Sequence, residues 1–246
     1  MTVAKLRTVK MFRYAINFDG IDDTIEIQHS ESLNIDENFT IIAWMQTNTN
    51  MSGPCCFTHN IFRKAGDYRF ITMGIANNTV IYFLAQDEAG NRLNPRGPTP
   101  SDNLVKNRKW HHIAAVKDGI NAYLYYDGEL FSSDSNPDFG SISNTANIAI
   151  GPGYSGLIGE IKVYNHVLTA DEIYLLYNHE NITNGIVLWL RPHLDYIKDI
   201  DNDEILELID LSGHENHGKI YGATPRDFYR LERPAKSPLR LAPALR

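Results

Sequence analysis

Cysteine is almost absent from this sequence of 246 residues, since only Cys55 and Cys56 occur and they are adjacent. Neighbouring cysteines rarely bond to each other because the resulting ring is strained. The sequence therefore lacks a disulfide framework and any Cys-x-x-Cys spacing that would indicate a metal site. Two unpaired thiols in a loop is the favoured interpretation, and an intermolecular bridge stays open as the alternative.

Long apolar runs are also missing. No stretch reaches membrane-spanning length, so no membrane insertion is expected. The segment 1–14 carries Lys5, Arg7, Lys10 and Arg13 but no apolar core, and it therefore shows no signal peptide.

Positive charge is scarce in the body of the chain. The sequence has 23 Lys and Arg against 30 Asp and Glu, a net charge of −7. Segments 1–14 and 225–246 each contribute +4, which leaves −15 for the residues between them. An acidic body argues against nucleic acid as a partner and leaves carboxylates available for a cation. The basic ends are interpreted as solvated tails, with contact to an acidic neighbouring subunit as the alternative.

Helical signals are few, and the clearest one lies late in the chain. Thr169 can cap a helix, and Glu172 three residues later completes a capping box. Ile173 and Leu176 then fall on one face. The spacing predicts a helix over 170–178, and a parallel α/β sheet is not expected.

Most of the chain instead shows short strands separated by turns rich in Gly, Asn, Asp and Pro. Asp127-Gly128 predicts a tight hairpin, because both residues tolerate positive φ. Residues 46–66 and 87–103 are expected to be rim loops, and the proline-rich segment 225–246 an extended tail without regular pairing. The predicted strands are Ala15–Phe18, Thr24–Ile27, Phe39–Met45, Arg69–Gly74, Val80–Ala85, Trp110–Val116, Asn121–Tyr126, Asn147–Ile150, Leu157–Tyr164, Ile186–Leu190 and Gly218–Tyr221.

An ordered set of motifs resembles the laminin-G-like, concanavalin A-like lectin and glucanase domains. The set comprises residues 17–27, 32–35, 39–44, 110–114, 125–128 and 156–165, followed by the helix. The resemblance implies an all-β fold of two antiparallel sheets, a jelly-roll sandwich. It also implies binding of glycans or proteins, often with one structural calcium ion, and only rarely catalysis.

The end of the chain resembles the opening strands of such a domain. Residues 186–190 and 210–224 carry this likeness, although they come last. We therefore expect one domain over 14–224, in which 186–224 supplies strands that normally begin the fold, as in a circular permutation. Residues 1–13 would be a basic extension and 225–246 a Pro/Arg-rich tail. Entry of the terminal strands into a neighbouring molecule is the alternative.

The candidate metal site is the acidic turn with Asp19, Asp22 and Asp23, whose hard oxygens suit Ca²⁺. The resemblance implies a further carboxylate near 156–164, where Gly159 stands at the usual acidic position. Glu160 is adjacent and is the candidate ligand there, but its side chain would point to the other face of the sheet. An ordinary turn held by side-chain to backbone hydrogen bonds is equally compatible. The acidic segment 199–203 lacks the glycine of a calcium loop and is interpreted as solvated.

Other side chains suggest alternative ligands. His111 and His112 would face opposite sides of a strand, which does not favour a shared zinc. Tyr123 and Tyr125 share one strand face and, with Tyr68 and Tyr82, could stack on a sugar ring. Core packing of these aromatic rings is the competing interpretation.

Catalysis is not expected. The related glucanases carry Glu-x-Asp-x-x-Glu on one strand, and no Glu-x-Asp occurs in this chain. The first hypothesis is a non-catalytic module that binds a glycan or glycoprotein through its rim loops. The second is an assembly component of a virion or cell surface that associates with copies of itself. Both favour an extracellular or surface location.

Overall fold

The computed structural model describes residues 14–47, 59–66, 70–76, 80–98, 108–201, 203–222 and 228–230. Within this part of the chain, two antiparallel sheets of eight and ten strands are present. The strands of sheet A are β1 (Tyr14–Asp19), β3 (Asn38–Thr47), β9 (His111–Asp118), β10 (Asn121–Tyr126), β11 (Glu129–Ser135), β13 (Ser155–Tyr164), β14 (Ile186–Leu190) and β18 (Phe228–Arg230). The strands of sheet B are β2 (Thr24–Ile27), β4 (His59–Ala65), β5 (Phe70–Ala76), β6 (Val80–Gln86), β7 (Arg92–Leu93), β8 (Arg96–Pro98), β12 (Ile148–Ile150), β15 (Ile197–Lys198), β16 (Glu207–Leu208) and β17 (Gly218–Tyr221).

Neighbouring strands are often far apart in sequence. Sheet A has the order β11-β10-β9-β3-β13-β1-β18, with β14 beside the second half of β13. Sheet B has the order β15-β16-β17-β2-β12-β4-β5-β6-β7, with β8 also beside β6. The all-β, two-sheet sandwich with one helix that the motifs predicted is confirmed.

Alternation along each strand divides its side chains between the core and an outer face. In β3, Ile41 and Ala43 belong to the main core, whereas Ile42 packs into a second cluster on the outer face of sheet A. In β6, Phe83 is buried in the main core and Tyr82 in a separate small cluster. The main core therefore lies between the two sheets.

The helix α1 (Ala170–Tyr177) has the predicted capping box at its start. The side chain of Thr169 accepts from the backbone N–H of Glu172, and the Glu172 carboxylate accepts from the backbone N–H of Thr169. Ile173 and Leu176 are buried against the outer face of sheet A. Among the described helices, none has the length and apolarity needed to cross a membrane.

The last strands of the chain lie beside the first ones. β14 pairs with β13 on the same side as β1, and β17 pairs with β2 in the register Lys219 to Glu26. These pairs show where 186–221 lie in the sandwich. The extent of the domain, 14–224, and the proposed permutation stay predictions.

Three departures from the sequence predictions concern strands. The segment 46–66 was expected to be a loop, but its second half is β4, whose Ile61 and Phe62 are buried in the core. Residues 92–93 and 96–98 of the other expected loop also form short strands. In the expected tail, residues 228–230 pair with β1, because no proline interrupts the chain between Pro225 and Pro234.

Candidate functional site

The acidic turn connects β1 to β2 and is held by its own carboxylates. The backbone N–H of Asp19 donates to Oδ2 of Asp23 at 2.8 Å, and that of Ile21 donates to Oδ1 of Asp19 at 2.7 Å. Gly20 has a φ of 88°, which favours glycine, and its backbone lies close to Ser155. These local hydrogen bonds hold the shape of the turn.

A groove of about 430 Å³ runs beside this turn along the outer face of sheet B. Its floor includes Glu26 of β2 and Ala149 of β12, which are paired neighbours. Ile25 and Ile27 on either side of Glu26 belong to the core, so the Glu26 side chain faces outward. The described lining residues are Ile21, Asp22, Asp23, Thr24, Glu26, Ala65, Ala146, Asn147, Ala149, Pro152 and Gly153.

Glu26 and Asn147 form the polar end of the groove. The Asn147 amide donates to Oε1 of Glu26 at 2.6 Å, and its own Oδ1 accepts from the backbone N–H of His29 at 3.0 Å. These contacts orient the two side chains before any ligand arrives. Sequence reasoning did not select either residue. The alternating burial of β2 was the available signal for Glu26, but Asn147 lies 121 positions further on and joins it only through the pairing of β2 with β12.

The segment before β12, which carries Asn147, is anchored by a buried lysine. Nζ of Lys64 donates to the carbonyl oxygens of Asn144 at 2.7 Å and Ala146 at 2.8 Å. Burial lowers the pKa of Lys64 to about 8, so its ammonium form predominates at neutral pH. The carboxylate of Asp36 accepts from the backbone N–H of Ile142 at 2.7 Å and is a second anchor of the same segment.

The three aspartates of the turn fit part of a calcium shell. Ligand atoms of Asp19, Asp22 and Asp23 lie within 4.8 Å of one another. Calcium takes about six to eight oxygens, so backbone carbonyls or water would have to complete the set. Asp19 and Asp22 are exposed and Asp23 is buried, which leaves the cluster open to solvent on one side.

Glu160 does not belong to this cluster. Its Oε1 accepts from the indole N–H of Trp189 at 2.7 Å, and its Oε2 lies 3.3 Å from Nζ of Lys162. All three side chains lie on the outer face of sheet A, because Ile161 between Glu160 and Lys162 faces the core. Adjacency in sequence to the expected acidic position therefore does not place Glu160 beside the turn.

The structure does not bring the predicted tyrosines together. Tyr125 is buried and Tyr123 half-buried in the outer cluster of sheet A, where Leu176 of α1 packs. Tyr82 is buried on sheet B, where its hydroxyl donates to Oδ1 of Asn60 at 2.8 Å and burial raises its pKa to about 12. Tyr68 lies outside the described residues. Since Tyr123 and Tyr82 lie on the outer faces of opposite sheets, these rings cannot form one platform.

The remaining titratable clusters have structural partners. Nζ of Lys219 binds Oδ2 of Asp201 at 2.7 Å and also contacts Asp203, and these hydrogen bonds raise the pKa of Lys219. The lysine thus occupies the acidic segment 199–203 as a cation would. Nδ1 of His111 lies 2.8 Å from Oδ2 of Asp127, and Nδ1 of His217 accepts from the backbone N–H of Asp210 at 3.1 Å.

Solved structures with the same fold come from several binding proteins. A Bacteroides ovatus protein whose name proposes carbohydrate binding shares 15% identity at a TM-score of 0.63, over 91% of this chain and 61% of that one. The binding domain of Paraclostridial Mosquitocidal Protein 1 shares 18% identity at a TM-score of 0.57, over 67% and 43%. The binding domain of Botulinum neurotoxin serotype D shares 17% identity at a TM-score of 0.57, over 73% and 45%.

These likenesses establish the fold, and the chain spans less than two thirds of each of the three proteins. Among curated protein sequences, none matches the chain significantly. A sequence model of the laminin-G-like group within the concanavalin A-like lectin/glucanases matches residues 19–174. This match covers more than half of the chain, which therefore belongs to the concanavalin A-like lectin/glucanase superfamily.

Proposed function

We propose that this protein is a non-catalytic glycan-binding module and that the groove on the outer face of sheet B holds the glycan. The observation that carries the proposal is the open groove of about 430 Å³, whose polar end is already ordered by the hydrogen bond between Asn147 and Glu26. A groove with a few fixed polar groups is the usual form of a small-ligand site.

The chemistry of the lining suits a sugar. The carboxylates of Asp22 and Glu26 can accept hydrogen bonds from hydroxyl groups, and the Asn147 amide offers both donor and acceptor atoms. Ile21 is 81% exposed at the rim and Ala149 lies on the floor, so the apolar C–H face of a sugar ring would have surfaces to contact. No aromatic side chain is among the described lining residues, and the expected affinity is accordingly modest.

The comparisons support this proposal at the level of the protein class. The chain belongs to a superfamily of lectins and glucanases, and the names of the similar structures describe binding domains and a carbohydrate-binding protein. The sequence suggested the rim loops as the contact surface. We propose instead the groove on the outer face of sheet B, which is lined by Asp22, Glu26 and Asn147.

We also propose that Ca²⁺ binds Asp19, Asp22 and Asp23 at the end of the groove. The three clustered carboxylates support this assignment. The ion would stiffen the turn and could supply a coordination position to sugar hydroxyls.

A glycan array followed by calorimetric titration tests the proposed function. We expect binding of at least one glycan class and no release of reducing sugar over the same period. Asn147→Ala should abolish measurable binding, because it removes the hydrogen bonds of the amide to Glu26 and to the backbone N–H of His29. Asn181→Ala, at an exposed position after α1, should leave the affinity unchanged. Equal affinity of both variants would contradict the assignment to the groove.

The competing function, an assembly component of a virion or cell surface, makes a different prediction. Among the described strands, β18 is the outermost one of sheet A on the β1 side, and a strand at that edge could pair with another copy. Light scattering over a range of protein concentrations separates the two functions. Glycan binding by a monomer supports the proposal, and growth in mass without any glycan binding supports assembly.

A further inference from the structure

The groove carries carboxylates on two of its sides. Asp22 and Asp23 belong to the turn, and Glu26 projects from the floor. Among the described lining residues, no Lys, Arg or His is present. In the described part of the chain, neither Asp22 nor Glu26 forms an ion pair.

The basic side chains nearest in the sheet are directed elsewhere. Lys219 lies directly opposite Glu26 in the β17–β2 register, where cross-strand neighbours of opposite charge usually pair. Its ammonium instead binds Asp201 and Asp203 on the far side of β17. Lys64 is buried, with its ammonium on the carbonyl oxygens of Asn144 and Ala146.

Arg63 of β4 is a third basic residue near the groove. It lies opposite Ala149 in the β4–β12 register and is exposed. Directly paired residues share a face of the sheet, so its side chain starts on the same outer face as Ala149, but Arg63 is not among the described residues that line the groove. Among the described residues that line the groove, Asp22 and Glu26 therefore have no compensating cation.

We propose that the groove selects glycans by charge: it accepts neutral sugars, prefers those with a free, protonated amine, and rejects those with a carboxylate or sulfate. This inference rests on the proposed function and adds the chemical class of the ligand. A sugar hydroxyl donates to a carboxylate and an ammonium does so more strongly, whereas an anionic sugar would place like charges at close range.

An array of matched glycans tests the selection. It would carry neutral, amino-bearing and uronate, sialylated or sulfated members on shared backbones, and would be probed once in millimolar EDTA and once in millimolar CaCl₂. We expect amino-bearing members to bind about tenfold more tightly than acidic members of the same backbone, with neutral members between them. The ratio should shrink at high ionic strength because salt screens the exposed carboxylates.

Variants that remove charge without changing shape localise the effect. Glu26→Gln and Asp22→Asn should each reduce the preference for amino-bearing over acidic members several-fold, whereas Glu129→Gln, an exposed position on β11, should not change it. Acidic members that bind as tightly as neutral ones in both buffers would overturn the charge inference while leaving glycan binding intact. An array without any bound glycan would instead overturn the proposed function.

Discussion

The outer faces of the two sheets differ in what covers them. On sheet A, α1 places Ile173 and Leu176 over Ile42 and Tyr125, so this face is closed by apolar packing. On sheet B, the surface over β2 and β12 is open, and its polar side chains line a groove. Alternation along the strands gives both sheets a row of side chains that point away from the core. Whether those side chains can contact a ligand depends on whether another element, such as α1, packs over them.

Polar groups on the two faces accordingly have different roles. On sheet A, Glu160 and Lys162 are buried, pair with each other and contact Trp189, and desolvation lowers the pKa of Lys162. On sheet B, Glu26 binds the Asn147 amide and still lines open space. The pairing on sheet A compensates two buried charges. On sheet B, the carboxylate of Glu26 can still accept a hydrogen bond from a ligand.

The largest expected effect comes from removing the C-terminal strands, which contribute to both sheets. A chain ending at Asn184 lacks β14, which borders β13, and β17, which borders β2 beside the groove. It should aggregate or show no cooperative thermal unfolding, because Val187, Leu188 and Leu190 belong to the main core. A chain ending at Arg230 keeps β18 and should unfold cooperatively. A monomeric, fully stable 1–184 chain would mean that 186–224 is not part of this domain.

Weakening the covered face should not affect the open one. Leu176→Ala leaves a cavity between α1 and sheet A and should lower the free energy of unfolding by about 2–5 kcal/mol. Leu175→Ala, at a position 44% exposed on the same helix, should cost less than about 1 kcal/mol. Denaturant titrations give both values, and glycan affinity should be the same for both variants. A loss of affinity specific to Leu176→Ala would show that the two faces are coupled.

The covered face should also be sensitive to acid. His112 is fully buried beside Trp44, and neither ring nitrogen has a hydrogen-bond partner among the described residues. Burial lowers its pKa from 6.5 to about 3. As the pH falls below about 6.5, His112 becomes protonated in the unfolded chain, whereas in the folded chain it stays neutral until about pH 3. Stability should therefore fall by about 3 kcal/mol between pH 7 and pH 4 through this group.

Comparison with a variant isolates that contribution. His112→Phe keeps an aromatic ring beside Trp44 but cannot take up a proton. Urea titrations at both pH values should show a smaller acid-induced loss of stability for this variant than for the parent chain. An identical loss in both proteins would indicate that the imidazole is not held neutral in the fold.

The smallest expected effect concerns calcium at the end of the open groove. Because a ligand that binds only the folded state stabilises it, millimolar Ca²⁺ should raise the melting temperature by a few degrees, and EDTA should reverse the change. Asp22→Asn should abolish the response, since it removes one of the three clustered carboxylates. An unchanged melting temperature in Ca²⁺ and in EDTA would leave the turn as a purely hydrogen-bonded structure.

Local patterns in the sequence predicted most of the fold. The alternation in Thr24–Ile27, the Asp127-Gly128 hairpin and the Thr169–Glu172 capping box each depend on residues close in sequence, and each forms as expected. β4 was missed because its polar residues, Asn60, Arg63 and Lys64, interrupt the apolar pattern.

The site was harder to predict because its parts are distant in sequence. Glu26 and Asn147 meet only when β2 pairs with β12, and no local pattern specifies that pairing. The shared face of Tyr123 and Tyr125 was recognised correctly, but the pattern could not reveal that α1 covers it. Glu160 was selected by its place in a motif, whereas the contact with Trp189 comes from the pairing of β13 with β14.

The most direct test of the open groove is to fill it. Ala149→Trp places a large side chain on the groove floor, and Ala170→Trp places the same side chain on an exposed position of α1 above the covered face. In calorimetric titrations with a glycan identified on the array, the first variant should lose binding while its melting temperature stays close to that of the parent chain. The second should bind like the parent. Undiminished binding by a folded Ala149→Trp protein would contradict the account.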